Sequence, residues 1–444
     1  MTQPTLTRQL GVVSVTALVV GEVVGIGIFL APAGMARSLG SPLWLLVVWL
    51  IMGVMALCGA LCYGELAARF PEAGGGYVYL RRAFGPAVAF LYGWKCLLVM
   101  DPGITAVLAM GGASYVAYMV GLSAAGLKAV AIGSILVLAA ANIIGVKFGA
   151  GLMRWFTALK VGALIVMAGL ALVLARGQWS NFVPFVAQRA GSDPLPGALA
   201  PGLVGAFFAF AGWWEIAKLA GEARDPMRTV PRALALGVAV VTGLYLLTTF
   251  VFIYLVPIER VTSGETFAAQ AGEALFGRSG GQVFAAIVIV AVLGSLMALL
   301  MALPRLYFAM AQDRVFFPAV AAVHPRFGTP ARAITIQAAL ASLYVLLGTF
   351  EQIVTYFVFI TVVFVGLTVV ALFPLRRRGD VGYRTPGYPL TPIVFLFLVL
   401  VLLTLLAGHN PVQAGLGTAI VALGAPVYLF AIRPRLNSKP DGVG

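Results

Sequence analysis

The chain has 444 residues, of which 61% are hydrophobic and only 10% are charged, and its mean hydropathy is +1.02. These values exclude an ordinary soluble globular protein, in which about a quarter of the residues are charged. The formal net charge of +14 does not imply a nucleic-acid partner, because the basic residues follow a membrane-topology pattern along the chain.

Apolar stretches long enough to cross a bilayer follow one another along almost the whole chain. The sequence predicts an all-α polytopic membrane protein with about twelve spans, near residues 12–36, 41–69, 86–120, 125–146, 150–175, 198–221, 231–257, 280–313, 331–349, 351–376, 389–409 and 411–433. The first span is too long for a cleaved signal peptide. With the N-terminus in the cytoplasm, twenty of the 29 Lys and Arg residues lie in cytoplasmic connections and six lie outside. This excess predicts a protein of the cell membrane with both termini in the cytoplasm.

The first span carries Gly21, Glu22, Gly25 and Gly27 at its centre. Glycine weakens a helix, and a carboxylate at membrane depth is costly unless it faces protein or water. Irregular backbone is tolerated at that depth only where it is buried in protein or lines a cavity. The pattern therefore predicts a discontinuous helix, broken near residues 25–27, whose exposed backbone groups bind a small polar ligand.

The cytoplasmic connection after span two contains turn residues. Its Gly74, Gly75 and Gly76 resemble a phosphate-binding loop only superficially, because the Lys-Ser/Thr continuation is missing. We interpret this segment as a flexible or re-entrant turn.

In span three, Lys95 and Asp101 are unusual charges to which the sequence assigns no role.

The sixth span repeats the pattern of the first, because Gly212 interrupts it and charged residues follow. Paired glycine-interrupted segments at corresponding positions indicate a transport site, whereas either segment alone is equally explained by close helix packing. Spans 1–5 and 6–10 then form two five-helix repeats, the second inverted because five is odd. The predicted organisation is a tail (1–11), a first repeat (12–190), an inverted second repeat (191–388), two further transmembrane helices (389–433) and a second tail (434–444).

The charges after Gly212 have two interpretations. Glu215, Lys218 and Glu222 are spaced three and four residues apart, so they share one helical face. We predict a structural Lys218–Glu222 pair. For Glu215, a structural role and a role in the substrate or proton route are left open.

Several motifs resemble those of the amino acid–polyamine–organocation (APC) superfamily. They are Gly25-Ile-Gly-Ile-Phe29, Phe208-Ala-Phe-Ala-Gly-Trp213, Glu222-Ala-Arg-Asp-Pro226, Pro304-Arg-Leu-Tyr307 and Tyr383-Arg-Thr-Pro-Gly-Tyr-Pro389. The chain is most similar to bacterial amino acid permeases of the L-type (LAT-like) group. The resemblance implies a secondary active transporter that moves amino acids by alternating access, independently of sodium, with protons or by exchange. The alternative is a polyamine or cationic amine transporter, because Glu22, Asp101 and Glu215 could offset extra positive charge.

The resemblance also implies site residues. Backbone N–H groups of Gly25, Ile26 and Gly27 are expected to bind the substrate carboxylate. Carbonyls around Val23, and near Phe210 and Ala211 beside the Gly212 break, are expected to bind its ammonium group. An aromatic gate is expected at Phe208. Lys160 in span five lies where sodium-coupled relatives hold a cation, so Lys160, Glu22 and Glu215 are the candidate coupling residues.

The sequence predicts neither a cofactor nor an enzyme. Its cysteines lie within apolar segments and its two histidines form no metal-ligand pattern, so no metal site is expected. The connection at residues 121–124 has no cysteine that could join a heavy chain by a disulfide, so no such partner is expected. The expected partners are the amino acid substrate and the lipid bilayer, with protons as a candidate coupling ion.

Overall fold

The computed structural model describes residues 10–25, 27–72, 74–145, 150–261, 266–379 and 382–437. These residues form helices and connections without strands, apart from one isolated backbone bridge between Leu10 and Ala223. The α-helices are α1 (Val12–Val23), α2 (Gly27–Leu39), α3 (Pro42–Arg69), α4 (Gly76–Phe84), α5 (Pro86–Lys95), α6 (Asp101–Val120), α7 (Ala124–Ile144), α8 (Ala150–Val173), α9 (Leu195–Phe210), α10 (Pro226–Leu255), α11 (Phe267–Ala302), α12 (Pro304–Gln312), α13 (Ala331–Leu347), α14 (Phe350–Val370), α15 (Leu372–Arg376), α16 (Leu390–His409), α17 (Pro411–Val427) and α18 (Arg433–Asn437).

The helices account for the twelve predicted spans. Ten helical segments of the described chain are long and apolar enough to cross a membrane. The pair α1–α2 passes the same test as one span bent by 47°, and α13 is a shorter apolar helix of 17 residues. The all-α polytopic class predicted from the sequence is therefore confirmed.

Both predicted breaks are present. In the first span, α1 ends at Val23 and α2 begins at Gly27. In the sixth span, α9 ends at Phe210, and a 3₁₀ helix (Trp213–Glu222) follows Gly212, whose φ is 111°. Because glycine alone adopts such positive φ values without strain, Gly212 allows the chain to change direction there. The inner half of this span is a 3₁₀ helix rather than the expected α-helix.

Two elements were missed from the sequence. A helix, α4, follows the predicted glycine turn directly, because Gly74 and Gly75 have φ values of 132° and 52° and turn the chain into it. A short helical segment at 267–275 precedes the eighth span, and the chain bends at Phe276 and Gly277, so the span after the bend starts close to the predicted residue 280.

The two broken spans lie together at the centre of the helix bundle. Helix α1 packs against α10, α2 packs against α9, and α3 packs against both α9 and α10. Apolar side chains on the outer faces, such as Val137, Val283 and Phe397, are exposed, as expected for surfaces that contact lipid.

A short backbone connection ties the start of the first span to the end of the sixth. The amide of Leu10 donates to the Glu222 carbonyl at 3.0 Å, and the amide of Arg224 donates to the Leu10 carbonyl at 3.0 Å. The entry to α1 and the inner half of span six are thereby joined outside the bundle core.

Candidate functional site

The two breaks touch each other. A Cβ atom at Gly212 would lie 3.1 Å from Cγ of Glu22, and a Cβ atom at Gly27 would lie 2.4 Å from Cα of Ala209. A side chain at Gly27 would therefore overlap the backbone of the sixth span. The contact at Gly27 is with backbone, so a side chain there has no room, whereas Gly212 contacts the Glu22 side chain and needs glycine for its positive φ.

Tyr245 of α10 bridges the two breaks. Its hydroxyl oxygen lies 2.7 Å from the Val23 carbonyl oxygen and 2.8 Å from the Ala209 carbonyl oxygen. A phenol has one hydrogen, so it donates to one of these carbonyls at a time. Its buried ring packs against Trp49 and Phe210. A single side chain thus connects the end of α1 in the first span to the end of α9 in the sixth span.

The accessible surface around the breaks lies on the side of α1. Glu22 is exposed, and Gly25, Ala211 and Glu215 are partly exposed. By contrast, the first seven residues of α2, Gly27–Ala33, are all buried. The accessible surface at the breaks therefore lies beside α1 and not along α2.

Phe208 of α9 packs against span ten. Its ring meets the rings of Phe350 and Phe357 of α14 edge to face, with centroid distances of 6.2 and 6.1 Å. The gate expected at Phe208 stays a prediction.

Lys160 of α8 is buried, and its ammonium group donates to the Ser295 hydroxyl of α11 at 3.4 Å. Its charge also interacts electrostatically with that of Glu22 across the bundle. The resemblance implies that Lys160 lies where sodium-coupled relatives hold a cation. Its hydrogen-bond partner in the described part of the chain is Ser295.

The Lys218–Glu222 pair predicted from the sequence is wrong. Lys218 instead forms an ion pair with Glu215, three residues earlier. In a 3₁₀ helix, side chains three residues apart lie directly above one another, whereas the prediction assumed α-helical spacing. Glu215 is thus paired through one oxygen, and its other carboxylate oxygen is buried without a hydrogen-bond partner among the described residues.

The predicted substrate-binding groups stay predictions. In this conformation the amide of Gly25 donates to the Val23 carbonyl at 2.6 Å, and the amide of Ala211 donates to the Phe208 carbonyl at 3.2 Å. Ile26 lies outside the described residues. Gly25 and Ala211 nevertheless lie where the open surface meets the two breaks, together with Gly212.

The sequence model of one family, described as amino acid permease, matches residues 10–432. The chain belongs to this permease family.

Curated relatives agree with this assignment. The permease is 30% identical over 436 residues to the serine/threonine exchanger SteT of Bacillus subtilis (strain 168), covering 95% of this chain and 96% of that protein. It is 28% identical over 433 residues to the human large neutral amino acids transporter small subunit 2, covering 96% of this chain and 81% of the relative. It is 27% identical over 434 residues to the human cystine/glutamate transporter, covering 96% of this chain and 86% of the relative.

These relatives confirm the predicted family and function: the permease is a multi-pass membrane protein that transports amino acids. They do not favour the polyamine alternative. Two residues of the site escaped sequence reasoning, namely Tyr245 and Ser295. Each is one of several polar residues in its helix, and no local pattern distinguishes it from the many hydroxyl groups that bond within their own helix.

Proposed function

We propose that the permease is a sodium-independent secondary active transporter of the cytoplasmic membrane, with both termini in the cytoplasm. It moves amino acids by alternating access, either in exchange for one another or together with protons. Gly25, Ile26 and Gly27 bind the substrate carboxylate through backbone N–H groups. Carbonyls of Val23, Phe210 and Ala211 bind its ammonium group, beside Gly212.

The contact between the two breaks is the observation that carries this proposal. Two half-helix ends meet at one point of the bundle, where regular helical hydrogen bonding stops and the amides of Gly25 and Ala211 make local bonds that a ligand would replace. Residues on the α1 side of this point are accessible, and we assign the closed gate to the contacting rings of Phe208, Phe350 and Phe357. Such asymmetry is what one state of an alternating-access cycle requires.

Lys160 supports independence from sodium. In sodium-coupled members of the superfamily a cation lies in the region that matches this residue, and here a buried ammonium group lies there. A sodium ion beside it would bring two positive charges together at membrane depth, which is unfavourable. The fixed charge therefore takes the place of the ion.

The coupling scheme follows from Glu22 and from the relatives. Glu22 is the exposed carboxylate at the first break, so water and protons can reach it. Glu215 contributes a second carboxylate beside the sixth break. The Bacillus relative is named as an exchanger of serine and threonine. Exchange of small amino acids is therefore the first mode to test, with proton coupling through Glu22 as the second.

The charges at membrane depth favour substrates with no net charge. Glu22, Asp101 and Glu215 are matched in number by Lys95, Lys160 and Lys218, and the further buried carboxylate of Glu65 pairs with Arg69 and Arg376. The balance leaves no surplus negative charge for a polyamine. It suits a zwitterion, which adds one charge of each sign.

The test is transport in proteoliposomes. Vesicles containing the purified permease are preloaded with unlabelled serine and offered labelled amino acids or spermidine. We expect labelled neutral amino acids to enter by exchange, with no stimulation by an inward sodium gradient. Entry of spermidine but not of any amino acid would overturn the proposal.

A disulfide-linked heavy chain is not required, since the connection at residues 121–124 lacks a cysteine, and activity of the permease alone would bear this out.

A further inference from the structure

The long connection between spans five and six folds back over the end of α2. Helix α2 ends at Leu39, and Gly40 follows it with a φ of 57°. The side-chain amide of Gln188 donates to the Leu39 carbonyl at 3.1 Å, and the backbone amide of Arg189 donates to the Gly40 carbonyl at 2.8 Å. The last carbonyls of a helix have no partners within the helix itself. Here the connection supplies partners at that end.

The same segment holds the turn from α2 into α3. The Ser41 hydroxyl lies 3.1 Å from the carbonyl oxygens of both Phe185 and Val186, and it donates to one of them at a time. The amide of Leu43, in the first turn of α3, donates to the Phe185 carbonyl at 3.0 Å. Residues 185–189 therefore bind the chain on both sides of this turn.

The first part of the connection is fixed to the end of span seven. The backbone amide of Gln178 and the side-chain amide of Asn181 both donate to the Tyr254 carbonyl, at 2.9 and 3.0 Å. The ring of Phe182 packs against that of Phe250 in α10, with a centroid distance of 4.9 Å. Hydrogen bonds and ring packing thus join the connection to α10.

Arg189 links the two attachments. Its side chain is only 11% exposed and forms an ion pair with Glu259, in the 3₁₀ turn Ile258–Arg260 that follows α10. The guanidinium group also donates to the carbonyls of Asn181 and Pro184, at 3.2 and 2.6 Å. The backbone amide of the same residue binds the end of α2. One residue therefore ties the end of the first span to the end of the seventh.

Helix α2 has a second attachment near its end, to α14. Arg37 forms an ion pair with Glu351 at 3.3 Å, and these side chains are 34% and 71% exposed. Exposed ion pairs add little to stability and break readily. The attachment to span seven is stronger, because it combines several backbone hydrogen bonds with a largely buried arginine.

We propose that Arg189 is a positioning residue that fixes the end of α2 to span seven, so that α2 separates from α14 when the outer face opens. This inference rests on the proposed transport function and orientation. The strap is the name used below for residues 178–189. Glu351 directly follows Phe350, whose ring contacts Phe208 in the assigned gate. Opening of that gate and loss of the exposed ion pair therefore occur at one interface, while the strap keeps α2 with span seven.

The test compares Arg189→Gln with the wild type in proteoliposomes. Half-saturation concentrations for the best-transported neutral amino acid are measured at each face of the membrane. We expect the ratio of the outer to the inner value to rise three- to tenfold, because α2 then no longer follows span seven and stays with α14. Hydrogen exchange at the Leu43 amide should be at least threefold faster, since the strap holds its acceptor. Glu259→Gln should raise the ratio less, because the guanidinium group keeps its carbonyl acceptors.

The matched control is Arg176→Gln, which removes an exposed positive charge from the same connection. It should leave the ratio unchanged. An unchanged ratio in an active Arg189→Gln variant, even with a lower melting temperature, or an equal change in the control, would overturn the role of Arg189. If Arg189→Gln does not fold, Arg189→Lys is measured in its place, since lysine keeps the charge but lacks the planar fork that reaches several acceptors. The same rise is expected, and an unchanged ratio overturns the proposal. A wild-type protein that transports no amino acid would instead refute the proposed function.

Discussion

At the scale of single residues, Gly25 and Gly27 differ although they belong to one motif. A Cβ atom at Gly25 would meet only backbone oxygens of Glu22 and Val23, at 3.5 and 3.8 Å, which are ordinary contacts. A Cβ atom at Gly27 would overlap Ala209. The first position therefore has room for a methyl group, and the second does not.

The first prediction separates binding from packing at this motif. Gly25→Ala should leave folding intact and weaken substrate affinity at least tenfold, because the methyl group obstructs approach to the backbone donors. Gly27→Ala should lower thermal stability, since α2 must move away from α9. Affinity is measured by ligand-induced thermal shift, and stability by the melting temperature without ligand. Wild-type affinity in Gly25→Ala would remove this residue from the binding site.

The second prediction concerns Tyr245. Tyr245→Phe keeps the ring and its packing against Trp49 and Phe210 but removes the hydroxyl that bridges Val23 and Ala209. Loss of a neutral hydrogen bond costs about 1 kcal/mol, so we expect a loss of roughly five- to tenfold in transport rate with little change in folding. Initial exchange rates in proteoliposomes measure it. Thr242→Val on the same helix, which removes a hydroxyl bonded within α10, is the control.

The third prediction concerns Glu22. If this exposed carboxylate takes up the coupled proton, Glu22→Gln should abolish uptake driven by a pH gradient while exchange without a gradient continues. Initial uptake with and without a proton ionophore distinguishes the two modes. A variant that retains gradient-driven uptake would leave Glu22 with a structural role against Gly212.

At the scale of elements, the connection between Leu10 and residues 222–224 joins two segments that are far apart in sequence. It makes the entry of α1 and the inner half of span six one mechanical unit. Both segments end at a break, so a movement at one break is transmitted to the other through this connection as well as through Tyr245.

The fourth prediction tests that connection. Leu10→Pro removes the amide that donates to Glu222, because proline has no N–H group. We expect faster hydrogen exchange at the Arg224 amide and a severalfold slower transport cycle. Gly11→Ala is the control, because a Cβ atom there would have no neighbour within 4 Å. Unchanged exchange at Arg224 would show that the connection does not limit this segment's movement.

At the scale of the whole molecule, the proposed orientation gives the observed conformation a direction. The accessible surface at the breaks lies on the side of α1, the first helix of the described chain. With both termini in the cytoplasm, as we propose from the distribution of Lys and Arg, this surface faces the cytoplasmic side.

The fifth prediction concerns the driving force of the complete permease. An inward sodium gradient should not stimulate uptake by the wild type, because Lys160 provides the fixed charge. Lys160→Ala should lower substrate affinity on at least one face, because both Ser295 and Glu22 lose their interaction with the ammonium group. Transport with sodium, potassium or choline as the only external cation measures the first effect. Sodium-driven uptake by the wild type would contradict the role of Lys160.

The sequence by itself determined the membrane class, the polytopic helical architecture, the positions of both breaks and the family. Apolar length, glycine position and basic-residue distribution are local properties that each segment carries alone, so they can be read without knowledge of its neighbours. Only the tertiary structure decided that Lys218 pairs with Glu215, because that pairing depends on the 3₁₀ form of the inner half-helix. Only the structure placed Tyr245 between two carbonyls and Lys160 beside Ser295, because these contacts join spans whose separation in sequence carries no information about their distance in space.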